Sequence, residues 1–264
     1  MHPTTLVACL EHEARRLGLK QKKFVHNVDQ IIAEASEMDL LLAPSQAVAK
    51  SYQDNGFPAA RTKVIPYGVG QPANRLLATA LPLAAEDSQA KRDGILVVAH
   101  VSLRKGHHLL IEAVRKLQGH SANRLKLRFV GRVDKAYLDV LLKMGINFEH
   151  ETHVPHQQLV AEMAQAQMLV LPSLEDGFGM VVTEAMLAGT PVIVSKYAGA
   201  SELVREFGGG FVVDPYDAGA FASVLDRVLG GDVENVHASE LPDWKDYAEK
   251  LINLSKEIQG LVAA

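Results

Sequence analysis

Hydrophobic and polar positions alternate in a regular way between residues 94 and 229. Short runs of Val, Ile and Leu are followed there by longer amphipathic stretches. The short runs predict strands at 95–98, 125–130, 168–171, 191–194 and 211–213. The amphipathic stretches predict helices at 109–117, 137–143, 181–188 and 218–229. Apolar strands that alternate with helices are typical of a parallel sheet covered on both faces, so this region predicts an α/β, Rossmann-like fold.

A shorter unit of the same style precedes residue 70. Its pattern predicts helices at 6–17 and 28–37, a strand at 39–42, a helix from the Ser45 cap to residue 55, and a strand at 62–65. Residues 71–93 mix alanine, proline and charges without a period, which indicates a linker. A last amphipathic helix is predicted at 244–258. The chain is therefore predicted to have four segments, at 1–70, 71–93, 94–242 and 243–264.

Composition indicates a soluble globular protein. The 264 residues are 48 % hydrophobic and 22 % charged, and the net charge of -4 comes without a basic cluster, so a nucleic acid or an anionic membrane is not expected as partner. The single cysteine, Cys9, cannot form an internal disulfide. No apolar run reaches the roughly 18 residues of a membrane span, and the first five residues do not resemble a signal peptide. The expected location is the cytoplasm.

The strongest local motif lies between the strand predicted at 168–171 and the helix that follows it. The chain reads Pro-Ser-Leu-Glu-Asp-Gly-Phe-Gly-Met from 172 to 180. Open α/β sheets bind ligands at the carboxyl ends of their strands, and free amides at a helix N-terminus suit an anionic phosphate. The amides in question belong to Phe178, Gly179 and Met180. Glu184, one turn further, could accept hydrogen bonds from sugar hydroxyls. Alternatively, Asp176 and Gly177 form a tight turn only, and Glu184 is a solvated helix residue.

A second motif, Ser-Leu-Arg-Lys-Gly at 102–106, follows the strand predicted at 95–98. It also lies at the carboxyl end of a strand and before a helix. Lys105 is a compact cation that could neutralise a diphosphate, with Arg104 beside it. The alternative interpretation is a solvated basic turn.

Histidines offer a weaker hypothesis. His150, His153 and His156 recur every three residues, which raises the possibility of a metal site, but they fall on a predicted strand and loop, and surface histidines are the favoured interpretation. His107 and His108 are predicted to be a solvated pair at a helix start. Three glycines at 208–210 precede a strand instead of following one, which argues against a dinucleotide fingerprint.

Taken together, the two motifs resemble those of the glycosyl transferases of group 1, a GT-B family that includes glycogen- and sucrose-type synthases. The resemblance rests on the run 98–106, on Asp-Gly-Phe-Gly at 176–179 with Glu184 eight positions after Asp176, and on the runs 189–193 and 199–204. The runs 43–45 and 64–69 resemble the end of the family's N-terminal lobe. The helix at 244–258 resembles the terminal helix that crosses back onto that lobe.

The resemblance implies a retaining transfer of sugar from a nucleotide sugar to an acceptor. Lys105 with Arg104 would meet the diphosphate, and the amides of Phe178, Gly179 and Met180 in the loop with Gly177 would serve the same charge or the sugar. Glu184 would hold the ribose, Asp176 the hydroxyls of the transferred sugar, and the Val154 backbone would lie near the base. No metal or other cofactor is implied, because cations and helix amides stabilise the leaving group.

Three substitutions depart from the family pattern. Asp176 stands where the family has Glu, so its carboxylate is one methylene shorter, and Glu175 is a possible substitute. His100 replaces an Arg and cannot form a bidentate phosphate clamp. Ala99 replaces a Gly.

The part of the chain that resembles the N-terminal lobe is only the end of that lobe. The start at Met1 is misplaced, the chain is a fragment, or a second polypeptide supplies the rest; the sequence leaves these open. The first functional hypothesis is a glycosyltransferase. The second is a non-catalytic module that binds a nucleotide sugar, or one half of a split enzyme. The acceptor is not predicted.

Overall fold

The chain forms two parallel sheets of unequal size. The computed structural model describes residues 1–20, 27–69, 92–117, 125–233 and 241–262. The larger sheet has six parallel strands in the order β5-β4-β3-β6-β7-β8. Its strands are β3 Ile95–Val98, β4 Leu127–Val130, β5 Glu149–Glu151, β6 Met168–Leu171, β7 Val192–Ser195 and β8 Gly210–Val213.

Helices cover both faces of this sheet, as its apolar strands require. The helices are α4 His107–Val114, α5 Lys135–Lys143, α6 His156–Gln165, α7 Met180–Leu187, α8 Ser201–Phe207 and α9 Ala218–Leu229. Leu110, Leu141 and Leu225 place α4, α5 and α9 in one core cluster. Met163 and Val182 place α6 and α7 in the other. Every residue of β6 and β7 is buried, which explains why these strands lack alternation.

The smaller unit contains α1 Pro3–Arg16, α2 Val28–Glu37, β1 Leu41–Ala43, α3 Gln46–Gln53 and β2 Thr62–Val64. Strands β1 and β2 pair in parallel. The side chain of Ser45 accepts a hydrogen bond from the Val48 amide, so the predicted cap of α3 is confirmed.

The smaller unit packs directly on the larger one. Leu10 and Ala14 of α1 belong to the same core cluster as α4. Val69 pairs with Asp243, just before the final helix, α10 Trp244–Val262. The Tyr67 ring stacks on Trp244 with ring centroids 6.1 Å apart. None of the helices in the described ranges is both long and apolar enough to cross a membrane.

Most predicted elements are confirmed within a few residues, and two predictions need correction. His107 and His108 are not a solvated pair, because both side chains are completely buried. The prediction of strand and loop for residues 150–156 is confirmed as far as Pro155, with β5 ending at Glu151, but His156 begins α6 and is not in a loop. Most of the predicted linker, residues 71–91, lies outside the described residues, and the four-segment division remains a prediction.

Candidate functional site

The two motifs lie next to each other at the centre of the larger sheet. Strand β3 connects through α4 to β4 on one side, whereas β6 connects through α7 to β7 on the other. The strand order therefore reverses between β3 and β6, and such a switch point is where open parallel sheets bind ligands. The motif at 102–106 follows β3 and the motif at 172–180 follows β6, so both end at this crevice.

Gly106 brings the motifs into direct contact. Its backbone is left-handed, with a φ of 68°, and a Cβ at this position would collide with the carbonyl oxygen of Pro172. The Leu174 amide donates to the Arg104 carbonyl at 2.9 Å, which joins the two loops further. Close approach of the two strand ends therefore depends on glycine at this one position.

Cations of the first motif meet acids of the second. The Lys105 ammonium contacts the Asp176 carboxylate, and the two side chains are only 12 % and 15 % exposed. The neighbouring Arg104 donates to Glu175 at 3.1 Å. Lys105 thus lies next to the glycine-containing loop at 176–179, called the glycine loop below, and the guanidinium of Arg104 is engaged by the buried Glu175 carboxylate.

The glycine loop presents backbone donors at the start of α7. Gly179 precedes the helix with a φ of 91°, and a Cβ there would lie 2.8 Å from a Leu171 methyl group. Within the described part of the chain, the amides of Phe178, Gly179 and Met180 donate to no backbone carbonyl and to no side chain. Free amides and the positive end of the helix dipole suit an anion at this position.

The Phe178 side chain is buried, with 5 % of its surface exposed. Its ring packs edge-on against Tyr67 of the smaller unit, with centroids 5.3 Å apart. The ring of Phe178 therefore anchors the loop to the smaller unit.

Glu184 lies one turn inside α7 and is only partly exposed. Burial raises the pKa of its carboxyl group, with a smaller opposing effect of His156. Among the residues that the structure describes, Glu184 forms no ion pair, and a desolvated acid of this kind is suited to accept hydrogen bonds from a neutral ligand.

The structure places the other two predicted donor-binding residues in loops that follow strands of the larger sheet. His100 is exposed just after β3, and Val154 is buried in the loop between β5 and α6. His150 makes a hydrogen bond of 2.9 Å with the Gly131 carbonyl through its ring. Among the described residues, no group of three or more His, Cys, Asp or Glu side chains is placed to hold a metal ion.

Sequence reasoning missed the contribution of the smaller unit. The buried Ser45 hydroxyl donates to the Gly177 carbonyl at 2.9 Å. The Ala47 amide donates to Glu202 at 3.3 Å. Ser45 could be recognised only as a helix cap, because its partner in the glycine loop is 132 positions away.

These features define a class of protein: a doubly wound parallel sheet with a lysine and free helix amides at its switch point. The family model described as glycosyl transferases group 1 matches residues 84–251, and the chain belongs to this family. Its fold is that of GT-B proteins. The HepE protein of Anabaena, solved in complex with UDP, superimposes with a TM-score of 0.68 at 20 % identity, over 89 % of this chain and 69 % of that one.

Curated relatives are similar over parts of their length. An uncharacterized glycosyltransferase of Methanocaldococcus jannaschii is 32 % identical over 61 % of this chain and 44 % of its own. The MMP alpha-(1->4)-mannosyltransferase of Mycolicibacterium hassiacum is 25 % identical over 86 % of this chain and 56 % of its own. The chain therefore spans about half the length of these relatives.

Proposed function

We propose that the chain binds a nucleotide sugar at the β3–β6 crevice and takes part in a retaining transfer of its sugar to an acceptor. The observation that carries this proposal is the contact of Lys105 with Asp176 beside the free amides of residues 178–180. One cation, one acid and several backbone donors then face the same space, which matches a ligand with both phosphate and hydroxyl groups.

Each group has a distinct task. Lys105 and the amides of the loop neutralise the diphosphate, and they do so most strongly as it leaves and gains charge. Arg104 adds positive potential, although its guanidinium is paired with Glu175. Asp176 accepts hydrogen bonds from the transferred sugar, and Glu184 accepts them from the ribose. Val154 borders the base.

During transfer the bond between the anomeric carbon and the diphosphate oxygen breaks, and the oxygen of an acceptor hydroxyl bonds to that carbon on the same face. The hydroxyl proton leaves to the released nucleoside diphosphate or to solvent. The sugar passes through a cationic, oxocarbenium-like state, which the nearby Asp176 carboxylate stabilises. No metal is needed, because the lysine and the amides balance the charge of the leaving group.

The rival proposal is a module that binds a nucleotide sugar without transferring it, either alone or as one half of a split enzyme. His100 favours this rival, because imidazole cannot replace the bidentate guanidinium that the family has at this position.

Calorimetry with UDP-glucose, GDP-mannose and ADP-glucose tests binding, and release or transfer of a radiolabelled sugar tests catalysis. The informative variant is Lys105→Met. The matched control is Lys126→Met, which removes an exposed lysine just before β4. This lysine lies at the amino-terminal ends of the parallel strands, whereas Lys105 lies at their carboxyl ends. Loss of a hydrogen-bonded charge contact costs about 1.5–3 kcal/mol, so Lys105→Met should weaken binding at least tenfold and the control should not.

Each outcome selects one interpretation. Binding together with sugar release or transfer, both lost in Lys105→Met, supports the enzyme. Binding without any turnover, even with an added N-terminal lobe of a relative, supports the binding module. If none of the nucleotide sugars binds the folded chain, both proposals are wrong.

A further inference from the structure

The glycine loop between β6 and α7 is held by three consecutive carbonyl groups. The Asp176 carbonyl accepts the Gly199 amide at 3.0 Å, and the Phe178 carbonyl accepts the Ala200 amide at 2.5 Å. Both donors belong to the larger unit itself. The carbonyl between them, that of Gly177, accepts the Ser45 hydroxyl from the smaller unit, its only hydrogen bond within the described ranges.

The hydrogen bond from Ser45 to Gly177 also orients the amide of the next residue, Phe178. In a trans peptide the carbonyl of one residue and the N–H of the next point in opposite directions within one rigid plane. The bond from Ser45 to the Gly177 carbonyl therefore fixes the direction of the Phe178 N–H. That N–H is one of the free donors at the start of α7. The hydroxyl of Ser45 and a phosphate in the crevice would thus bind opposite ends of the same peptide group.

Ser45 is itself rigidly placed. Its side chain is completely buried, and while it donates to Gly177 it accepts from the Val48 amide at 3.3 Å as the cap of α3. A hydroxyl has one proton, so donation to Gly177 and acceptance from Val48 use its roles without conflict. Gly199 lies so close that a Cβ there would be 2.7 Å from the Cβ of Ser45. A second hydrogen bond, from Ala47 to Glu202, holds the same helix end against the larger unit.

We propose that Ser45 is a positioning residue that aims the Phe178 amide at the diphosphate of the donor. The smaller unit would then act on the donor site without touching the donor. This inference rests on the proposed function for the identity of the anion, but the restraint on the loop is a contact within the chain itself. The two parts can therefore be tested separately.

The first test needs no ligand. Hydrogen exchange of the Gly199 and Ala200 amides, which donate to the loop carbonyls on either side of Gly177, is measured by NMR in the parent chain, in Ser45→Ala and in Ser45→Cys, whose thiol fills similar space but is a weak donor. We expect faster exchange of these two amides in Ser45→Ala and an intermediate rate in Ser45→Cys, because a loosened loop breaks their hydrogen bonds more often. The control is Asp217→Ala, which removes the cap of α9 without touching the loop and should leave these rates unchanged.

The second test separates positioning from general loss of structure. Affinities are measured for UDP, GDP and ADP, and the one that binds is compared with its own nucleoside. Ser45→Ala should weaken the nucleoside diphosphate about tenfold, the size of one hydrogen bond to a charged group, and leave the nucleoside unchanged. A merely structural role would weaken both ligands equally, as would misfolding, which the Asp217→Ala control calibrates.

The outcomes keep the two proposals apart. If the Gly199 and Ala200 amides exchange at the parent rate in Ser45→Ala, Ser45 does not hold the loop and the inference is wrong whatever binds. If exchange rises but the diphosphate and the nucleoside lose affinity in parallel, Ser45 is structural only. If the parent chain binds none of the nucleoside diphosphates, the proposed function fails, and the exchange data still show whether Ser45 restrains the loop.

Discussion

Asp176→Asn removes the negative charge that neutralises Lys105. The two side chains are in contact and only 12 % and 15 % exposed, so solvent screens their interaction poorly. We expect the variant to bind a nucleoside diphosphate such as UDP or GDP more tightly than the parent chain. In the variant, Lys105 does not have to break its ion pair with Asp176 before it contacts the diphosphate. In addition, no carboxylate at position 176 repels the incoming phosphates.

The size of the gain follows from Coulomb's law. Two unit charges 4 Å apart interact by about 4 kcal/mol at the effective dielectric constant of a protein surface, near 20. A bound phosphate lies farther than this from the carboxylate, and salt screens part of the repulsion. About 1–2 kcal/mol remains, which corresponds to roughly tenfold tighter binding.

Calorimetry at two salt concentrations measures this gain, and the difference between variant and parent should shrink at high salt. Asp214→Asn is the matched control, because Asp214 pairs with Lys196 at 2.6 Å, but at 41 % and 37 % exposure of the two side chains. Such an exposed pair contributes little. Sugar release from a nucleotide sugar should fall in Asp176→Asn. If the variant binds the nucleoside diphosphate no better than the control does, the competition for Lys105 that we infer is absent.

Three further changes test other parts of the site and its support. Burial raises the pKa of Glu184, so the ionised carboxylate destabilises the fold at a pH above that value. Glu184→Gln should therefore raise the melting temperature at neutral pH, and it should also weaken donor binding. A lower melting temperature in the variant would contradict this reasoning. Burial lowers the pKa of His107 to about 3, so the unfolded chain binds the proton first as pH falls below 6.5. His107→Leu should therefore lose about 2 kcal/mol less stability than the parent chain between pH 7 and pH 5, measured by urea unfolding, and parallel pH profiles would refute the assignment. Gly106→Ala should destabilise the chain and weaken nucleotide binding, because a Cβ at this position collides with the Pro172 carbonyl. The control is Gly145→Ala, which has a similar φ of 74° but open space around it and should cost only backbone strain. Equal losses of stability in the two variants would show that the close approach of Gly106 to Pro172 is unimportant.

Local patterns were sufficient to predict the larger sheet. The strands at 95–98 and 168–171 were predicted with their observed bounds, because fully buried strands of a parallel sheet are continuous apolar runs. The helix at 218–229 was equally clear from its amphipathic period. The placement of Lys105 beside the glycine loop also followed, since carboxyl ends of neighbouring parallel strands meet at one edge.

What the sequence could not reveal depends on partners far away along the chain. His108 looked solvated, yet its ring contacts Tyr137 at 2.6 Å and Glu13 at 2.7 Å, and Glu13 lies 95 positions away. Burial by itself would raise the pKa of Glu13, but hydrogen bonds from His108 and Arg16 hold it below its ordinary value. The spacing of hydrophobic and polar residues does not indicate such a buried polar network. The same holds for the contact between Ser45 and Gly177.

The most direct test of the central claim is a crystal structure of the chain with a bound nucleoside diphosphate, UDP or whichever of UDP, GDP and ADP binds. Our account predicts a phosphate within about 3 Å of the Lys105 ammonium and of at least one amide among residues 178–180, with Asp176 displaced from the lysine. A diphosphate bound elsewhere, with Lys105 and Asp176 still in contact, would contradict it.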